Sequence, residues 1–421
     1  MKVQVLGAAK EVGRSAFLVN CNNTNILMDY GVLLKREPIF PMHVKPKEID
    51  AVVITHAHLD HSGFVPSLYL SGSADIPALG TLPTFELSQL LIEDMIKISG
   101  FYLPFEYIDL MTMMKSSKNL SYTEPYRVGN DATVTLYESG HVVGGSTVVV
   151  EHEGKRVFYT GDINTRGSKL LRPADLDFGE IDLMIIESTY SQANQQPREE
   201  AEKGLLEFAY EVIDRDGTLF IPSFSVERAQ EIACVLKANN FPHKVVMDGM
   251  ALKANEIMGR HPEYLKDPEV FRRAIGEAEW ISGWSRRRKV VKEPCVIISP
   301  AGMLVGGTAI FYTQQIAMSE KNGIAMVSYQ GEGTPGKLLL DKRVTNIDGK
   351  MRKCLADVKR FEFSGHNSRT ELFEILDRVR GNPKVLTVHG DGQSCTRFAE
   401  EIKEKYGFDA MAPDAGAVVE V

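Results

Sequence analysis

Thr55-His56-Ala57-His58-Leu59-Asp60-His61 places three of the chain's ten histidines and one aspartate within six positions, directly after the apolar run Ala51–Ile54. Imidazoles and carboxylates ligate divalent cations and move protons, so metal binding or acid–base catalysis is the chemistry this segment can support. Side chains two apart in extended chain point to one side, which lets His56 and His58 share a cation. A turn at Leu59 into a helix would aim Asp60 and His61 at a second position about 3.5–4 Å away, the spacing that two-metal hydrolases use. Nitrogen mixed with carboxylate oxygen suits zinc, where an all-oxygen set would suit magnesium or calcium; manganese and iron remain open.

Two more candidates follow later runs of strand-forming residues. His141 stands in Glu138-Ser139-Gly140-His141 and Asp162 in Thr160-Gly161-Asp162, both at strand ends, where active-site residues gather. A single histidine is more often a hydrogen-bonded surface or core residue than a ligand. The accumulation of several at strand ends is what favours a metal centre.

The elements that must carry these side chains are readable from periodicity. Short β-branched runs separated by turn residues predict strands at Lys2–Leu6, Ala16–Val19, Ile26–Met28, Ala51–Ile54, Thr133–Tyr137, Thr147–Glu151, Arg156–Tyr159 and Leu183–Ile186. Helical spacing predicts a covering helix over Thr84–Ser99. From about Arg198 the rhythm becomes alternating helix and strand, with strands at Thr218–Ile221, Lys244–Met247, Cys295–Ile298 and Ile324–Val327 and a helix over Glu227–Lys237, the signature of an α/β unit with a parallel sheet. After Arg360 the first style returns, with strands Phe361–Phe363 and Lys384–Val388 and helices Arg369–Val379 and Arg397–Tyr406. The expectation is an inserted domain: residues 1–195 and 360–421 form one domain and 196–359 the insertion, with polar Gln192–Glu200 as the crossing.

Bulk properties narrow the class. With 421 residues, 43% hydrophobic and 25% charged, the chain has material for two ordinary globular domains. It contains no apolar run of membrane-spanning length and no signal-like start, so a cytoplasmic protein without membrane partners is expected. Five scattered cysteines without CxxC spacing read as reduced, buried thiols. The net charge of −8 excludes binding of a polyanion by the overall field and leaves only local binding, at cations or a basic groove.

The pattern His56, His58, Asp60, His61, then His141, then Asp162 resembles the metallo-β-lactamase superfamily in composition and order. Asp29 in Met28-Asp29-Tyr30-Gly31 matches that superfamily's early aspartate, which the resemblance places behind the metal loop as a hydrogen-bond acceptor. Within the superfamily, Glu187-Ser188-Thr189-Tyr190, Ser364-Gly365-His366 and Val388-His389-Gly390 resemble the three motifs of the β-CASP nucleases, and the α/β insertion resembles their cap domain. Pro222-Ser223-Phe224-Ser225 with Arg228 and Gln230, Ser299-Pro300-Ala301-Gly302-Met303 and Gln330-Gly331-Glu332-Gly333-Thr334 extend the likeness to archaeal relatives of the cleavage and polyadenylation specificity factor nuclease. The implied fold is α/β: an αββα sandwich with an inserted β-CASP domain.

That resemblance implies two Zn²⁺ per chain, one held by His56, His58, His141 and Asp162, the other by Asp60, His61, Asp162 and His389, with Asp162 shared. It implies catalytic roles for His366, Glu187 and Asp60, His366 being the proton donor to the departing oxygen and Glu187 its holder. Chemistry agrees: a positioned acid contributes roughly 10²–10⁴-fold, and a carboxylate partner raises an imidazole's pKa. Branch members with histidine at the His389 position act on RNA, which implies a zinc-dependent ribonuclease on single-stranded RNA, cutting internally, from the 5′ end, or both. Partners in RNA processing or decay, and a homodimer, are further implications; the apolar ending Ala415–Val419 fits either an interface strand or the last strand of a sheet. Such relatives often carry KH domains before the nuclease core, whereas this chain starts on the first core strand and is expected to lack them.

Some residues have two readings. Ser364, Gly365, Asn367 and Ser368 precede a helix whose free N–H groups could take an RNA phosphate, but Ser368-Arg369-Thr370-Glu371 is also a capping box. Arg228 could contact RNA, with Ser225 beside it or merely capping a helix. Arg286-Arg287-Arg288-Lys289 could contact phosphates or be a solvated face. Two rival functions use the same scaffold. A small-molecule hydrolase would need neither His366 nor the insertion, and a non-catalytic scaffold of an RNA-processing complex would have degenerate ligands.

Overall fold

The computed structural model describes residues 1–35, 37–72 and 76–421. The chain forms two compact units, one of residues 1–167, 172–194 and 365–421, the other of residues 168–171 and 195–364.

The first unit is a sandwich of two seven-stranded sheets. One runs Val418–Glu420, Lys2–Val5, Phe17–Cys21, Thr24–Met28, Ala51–Val53, Ala78–Gly80, Ser117–Asn119; the other runs Asp409–Met411, Lys384–Val388, Leu183–Glu187, Lys155–Tyr159, Ser146–His152, Ala132–Glu138, Tyr126–Val128. Successive side chains on a strand face opposite ways, and here both faces are covered. Ile26 and Met28 enter the core between the sheets with Val3, Phe17, Val134, Val148 and Tyr159. Leu27 faces outward with Val52 and Ile54 against Phe85 and Ile92 of the helix Leu82–Ser99. On the opposite outer face Phe158 and Met184 pack on Leu372 and Leu376 of the helix Arg369–Arg378 and on Phe398 of the helix Gly392–Tyr406. The result is an αββα sandwich.

Strand direction positions the chemistry. Thr24–Met28 and Ala51–Val53 run parallel, as do Lys155–Tyr159, Leu183–Glu187 and Lys384–Val388. Parallel neighbours end on the same edge, so Asp29, Thr55 onward, Asp162, Glu187 and His389 all emerge at carboxyl ends of strands. Gly31 shows how tightly the loops there pack: a Cβ on it would lie 1.8 Å from the carbonyl oxygen of Asp60.

The second unit is built on a six-stranded, wholly parallel sheet in the order Glu279–Ile281, Val245–Asp248, Cys295–Ser299, Thr218–Pro222, Gly323–Met326, Asp357–Arg360. A separate antiparallel hairpin, Val344–Ile347 with Lys350–Lys353, turns through Asp348 and Gly349, both at positive φ (51° and 78°). That Asp-Gly pair satisfies the two positive φ angles that a two-residue hairpin loop of type I′ demands.

Several expectations need correction. Phe361–Phe363 is not a strand; the strand is Asp357–Arg360, which closes the second unit's sheet, and the chain returns to the first unit at Gly365, five residues later than the expected 360. Phe363 is instead a buried ring beneath the Arg198 guanidinium, 5.1 Å from its centroid. The apolar ending is the last strand of a sheet, since Val418–Glu420 pairs with Lys2–Gln4. Ser225 caps nothing: the helix Arg228–Ala238 starts after Glu227, and Ser225 offers its carbonyl to Gln230. Arg286 is held by Glu279 and Glu293, and Arg287 by the buried Asp248 at 2.7 Å, so this run does not supply four available cations. All five cysteines are buried and unpaired with one another. Among the described residues no helix is long and apolar enough to cross a membrane.

Gly31→Ala should lower stability by about 1–3 kcal/mol through overpacking, read as a drop in thermal midpoint. Gly259→Ala, where an added Cβ meets nothing within 4 Å, should leave the midpoint unchanged or slightly higher.

Candidate functional site

The loop Thr55–His61 begins where Ala51–Val53 ends and turns into a single helical turn at Leu59–Ser62. The chain bends at Ala57 and His58 and enters the helical turn at Leu59, which divides the four side chains between two places. Two groups result, each with ligand atoms within 4.8 Å of one another: His56, His58, His141 and Asp162, and Asp60, His61, Asp162 and His389. Asp162 belongs to both.

The hydrogen bonds around the histidines fix which ring nitrogen faces inward. Asp29, fully buried, accepts from the Thr55 amide (2.8 Å), the Thr55 hydroxyl (2.8 Å), Tyr159 Oη (3.0 Å) and His61 Nδ1 (2.7 Å). Because the Thr55 hydroxyl gives its proton to Asp29, its oxygen accepts from His56 Nδ1 at 3.1 Å. His141 Nδ1 donates to the Gly365 carbonyl at 2.8 Å. The Nε2 atoms of His56 and His141 are thus left as bare lone pairs, each 3.2 Å from His58 Nδ1. A single proton on His58 cannot satisfy both. Asp162 Oδ1 is likewise buried without a hydrogen bond, although His61 Nε2 and His389 Nδ1 each lie 3.3 Å away. Unsatisfied acceptors in a dry site cost free energy unless a cation meets them, so this donor set fits metal ions.

The titration of these groups points the same way. Burial, and then the neighbouring His61, hold His56 well below the ordinary imidazole range. Burial followed by His366 does the same to His141, and burial lowers His58. These three rings favour the neutral form, in which a nitrogen lone pair is available. Burial alone would raise the Asp162 carboxyl, but His389, His61 and His366 outweigh it and hold it well below its usual range. Burial opposes charge on His61 too, yet Asp162, Asp29 and Asp60 raise it well above the ordinary value. The pocket stabilises anionic carboxylates and demands positive charge among them.

A third side-chain pair adjoins the cluster. Glu187, fully buried, accepts from the Ile163 amide at 3.0 Å and faces His366 Nδ1 at 3.0 Å. His366 Nε2 is turned toward Asp162 Oδ2, 3.8 Å away. Burial lowers the His366 pKa, but Glu187 and then Asp162 overcome it and lift the ring to about 9. With 20% of its side chain exposed, the His366 ring favours the protonated form at a place that solvent can reach. Asp60, 30% exposed, accepts from His389 Nε2 at 3.3 Å.

The phosphate reading of the segment after His366 is corrected. Asn367 is fully buried and its Oδ1 accepts from the Thr165 amide (2.8 Å) and hydroxyl (3.1 Å); it ties two loops together. Ser368 closes a capping box with Glu371 and is buried, so it serves its own helix. Gly365 gives its carbonyl to His141, and a Cβ there would sit 3.1 Å from the His141 ring. Ser364 belongs to the second unit, where its carbonyl accepts from Arg198 at 3.0 Å. Arg228 is also in the second unit, buried and paired with Glu227 at 3.0 Å. Sequence reasoning missed Thr55 and Tyr159. Thr55 had a signal, standing next to His56; Tyr159 looked like any aromatic of an apolar strand.

The chain is similar to several known proteins. Residues 18–188 match the metallo-beta-lactamase superfamily domain, residues 229–339 the Beta-Casp domain, and residues 353–413 the Zn-dependent metallo-hydrolase RNA specificity domain. The chain is 34% identical to the RNase aCSPSF2 of Saccharolobus solfataricus over 98% of its own length and 84% of that protein's. It is 35% identical to the transcription termination factor FttA of Methanocaldococcus jannaschii over 98% of its length and 70% of that protein's. To the probable RNase MJ4 of the same organism it is 30% identical over 100% of both. In fold it is similar to a protein of unknown function from Enterococcus faecalis, with a TM-score of 0.63 at 15% identity, covering 100% of this chain and 99% of that one.

Asp29→Asn should weaken metal binding about 10–100-fold, the usual cost of removing an acceptor that orients a ligating imidazole. Competition with a chromophoric chelator measures it, and unchanged affinity would refute the role given to Asp29.

Proposed function

The chain belongs to the metallo-beta-lactamase superfamily, in the group that carries a Beta-Casp domain, and on that footing we propose that it is a metal-dependent ribonuclease that hydrolyses phosphodiester bonds of single-stranded RNA. The observation that carries this reading is the pair of adjoining ligand groups sharing Asp162, with the His366–Glu187 pair beside them. A small-molecule hydrolase has no use for that acid, and a non-catalytic scaffold has no reason to retain every candidate ligand. Relatives named as RNases at 34% and 30% identity support RNA as the substrate.

In this reading His56, His58, His141 and Asp162 hold one cation and Asp60, His61, Asp162 and His389 the other, both zinc. Bound there, two such ions supply Lewis acidity and bring water's pKa down toward about 7. The protein's own part is orientation and proton transfer. Asp29 and Thr55 keep the lone pairs of His61 and His56 pointing inward, and the Gly365 carbonyl does so for His141. Glu187 holds Nδ1 of His366, leaving the Nε2 proton for the oxygen that departs as the P–O bond breaks, so that no alkoxide is released. The water oxygen joins phosphorus as the bond to the departing oxygen breaks, the water's own proton passes to solvent, His366 regains a proton from solvent, and no covalent enzyme intermediate is required.

His366→Ala should keep its metal content and lose about 10²–10⁴-fold in kcat, the usual worth of a general acid, measured on a labelled RNA. His58→Ala and Asp162→Asn should instead lose metal on elemental analysis of the purified proteins. Full metal content in those two would contradict the ligand assignment.

Glu187→Gln removes the anion that raises His366. The acid must be protonated to act, so activity falls as pH rises through its pKa; lowering that pKa moves the alkaline limb of the kcat profile to lower pH. An alkaline limb that stays in place would show that His366 is not the acid.

A further inference from the structure

We propose that the basic hairpin of the second unit, Val344–Ile347 with Lys350–Lys353, together with Lys342 and Arg343 before it, is a docking surface for the phosphate backbone of single-stranded RNA. The chain carries a net charge of −8, yet Lys337–Arg360 holds eight lysines and arginines against three aspartates. The excess is concentrated further by pairing. Asp341 is taken by Lys337 and Asp357 by Arg215, while Lys359 and Arg360 answer to Glu211 and Glu362. Lys342, Arg343, Lys350, Arg352 and Lys353 are all exposed and make no ion pair among the described residues.

This sets the hairpin apart from Arg286 and Arg287, which face carboxylates at hydrogen-bond distance. Like charges crowded together repel one another, so five unpaired cations in one short stretch cost stability and gain it back only when an anion arrives. The scaffold is also stiff. Its tight Asp348-Gly349 turn closes one end, and the Cys354 amide, bonded to the Arg343 carbonyl at 2.8 Å, closes the other. Lys350 and Arg352 stand two residues apart on one strand, about 6.8 Å, a separation comparable with that of successive phosphates along an extended strand. Met351 between them, 55% exposed, points to the other face of the hairpin together with Lys353. The backbone that carries these cations is ordered by the ladder and the turn, which spaces them regularly and favours a regular polyanion over an irregular acidic protein surface.

The inference rests on RNA as the substrate, but its test reads binding rather than cleavage. Equilibrium binding of a long unstructured RNA to the His366→Ala protein, measured across salt concentrations, is compared with the same protein carrying K350A, R352A and K353A. Counterion release predicts that the slope of log K against log salt becomes shallower by about 2, from about 0.7 per lost cation on a single strand. The loss should be equal for RNAs of unrelated sequence, and a K350R/K353R protein should retain the original slope. Thermal unfolding confirms that the variants stay folded. An unchanged slope overturns the proposal, and so does a variant that loses binding to polyglutamate while holding RNA as before. A chain that proved inactive on RNA would leave a shallower slope standing.

Discussion

Everything at the carboxyl edge of the sandwich depends on burying more acceptors than donors in one place. His56 and His141 turn bare nitrogens toward His58, and Asp162 presents an oxygen with no hydrogen bond. In water such atoms cost nothing; in a dry pocket they are tolerated only opposite positive charge. The low pKa of Asp162 and the high ones of His61 and His366 express that demand. An apolar side chain could not replace any one of these groups without disrupting the rest.

The rest of the first unit meets that constraint. Four hydrogen bonds converge on Asp29 at the end of one strand, and Thr55 relays them to His56. Glu187 ends another strand and binds both His366 and the backbone next to Asp162. Loops are the usual place for such residues, but loops this tightly tied to rigid strand ends hold imidazoles without the entropy a flexible segment would lose on binding. Asn367 is part of the same bracing, since its amide donates to Ile163 and its side chain accepts from Thr165.

The second unit answers a different problem, how an acidic protein meets a polyanion. A net charge of −8 repels RNA at long range, and that repulsion is screened within roughly 8–10 Å at ordinary salt. Local surfaces therefore decide binding. Charge runs in a sequence are poor guides to them, because what counts is whether a cation already has a partner. Arg286 does; among the described residues Lys350 and Arg352 make no ion pair.

The sequence by itself determined which side-chain types stand at the strand ends and most strands of the sandwich, because those follow from local rules of periodicity that act over a few residues. Tertiary structure alone decided what each group does with its second hydrogen bond. Thr55 and Tyr159 became part of the site through an aspartate 26 and 130 residues away, and Asn367 and Ser368 left it by finding partners of their own. Phe361–Phe363 has strand-forming residues, but the partner strand Gly323–Met326 ends opposite Arg360, so the ladder stops after the Phe361 amide's bond to the Met326 carbonyl. Pairing, burial and satisfied acceptors are properties of atoms brought together across long stretches of chain, and no local pattern encodes them.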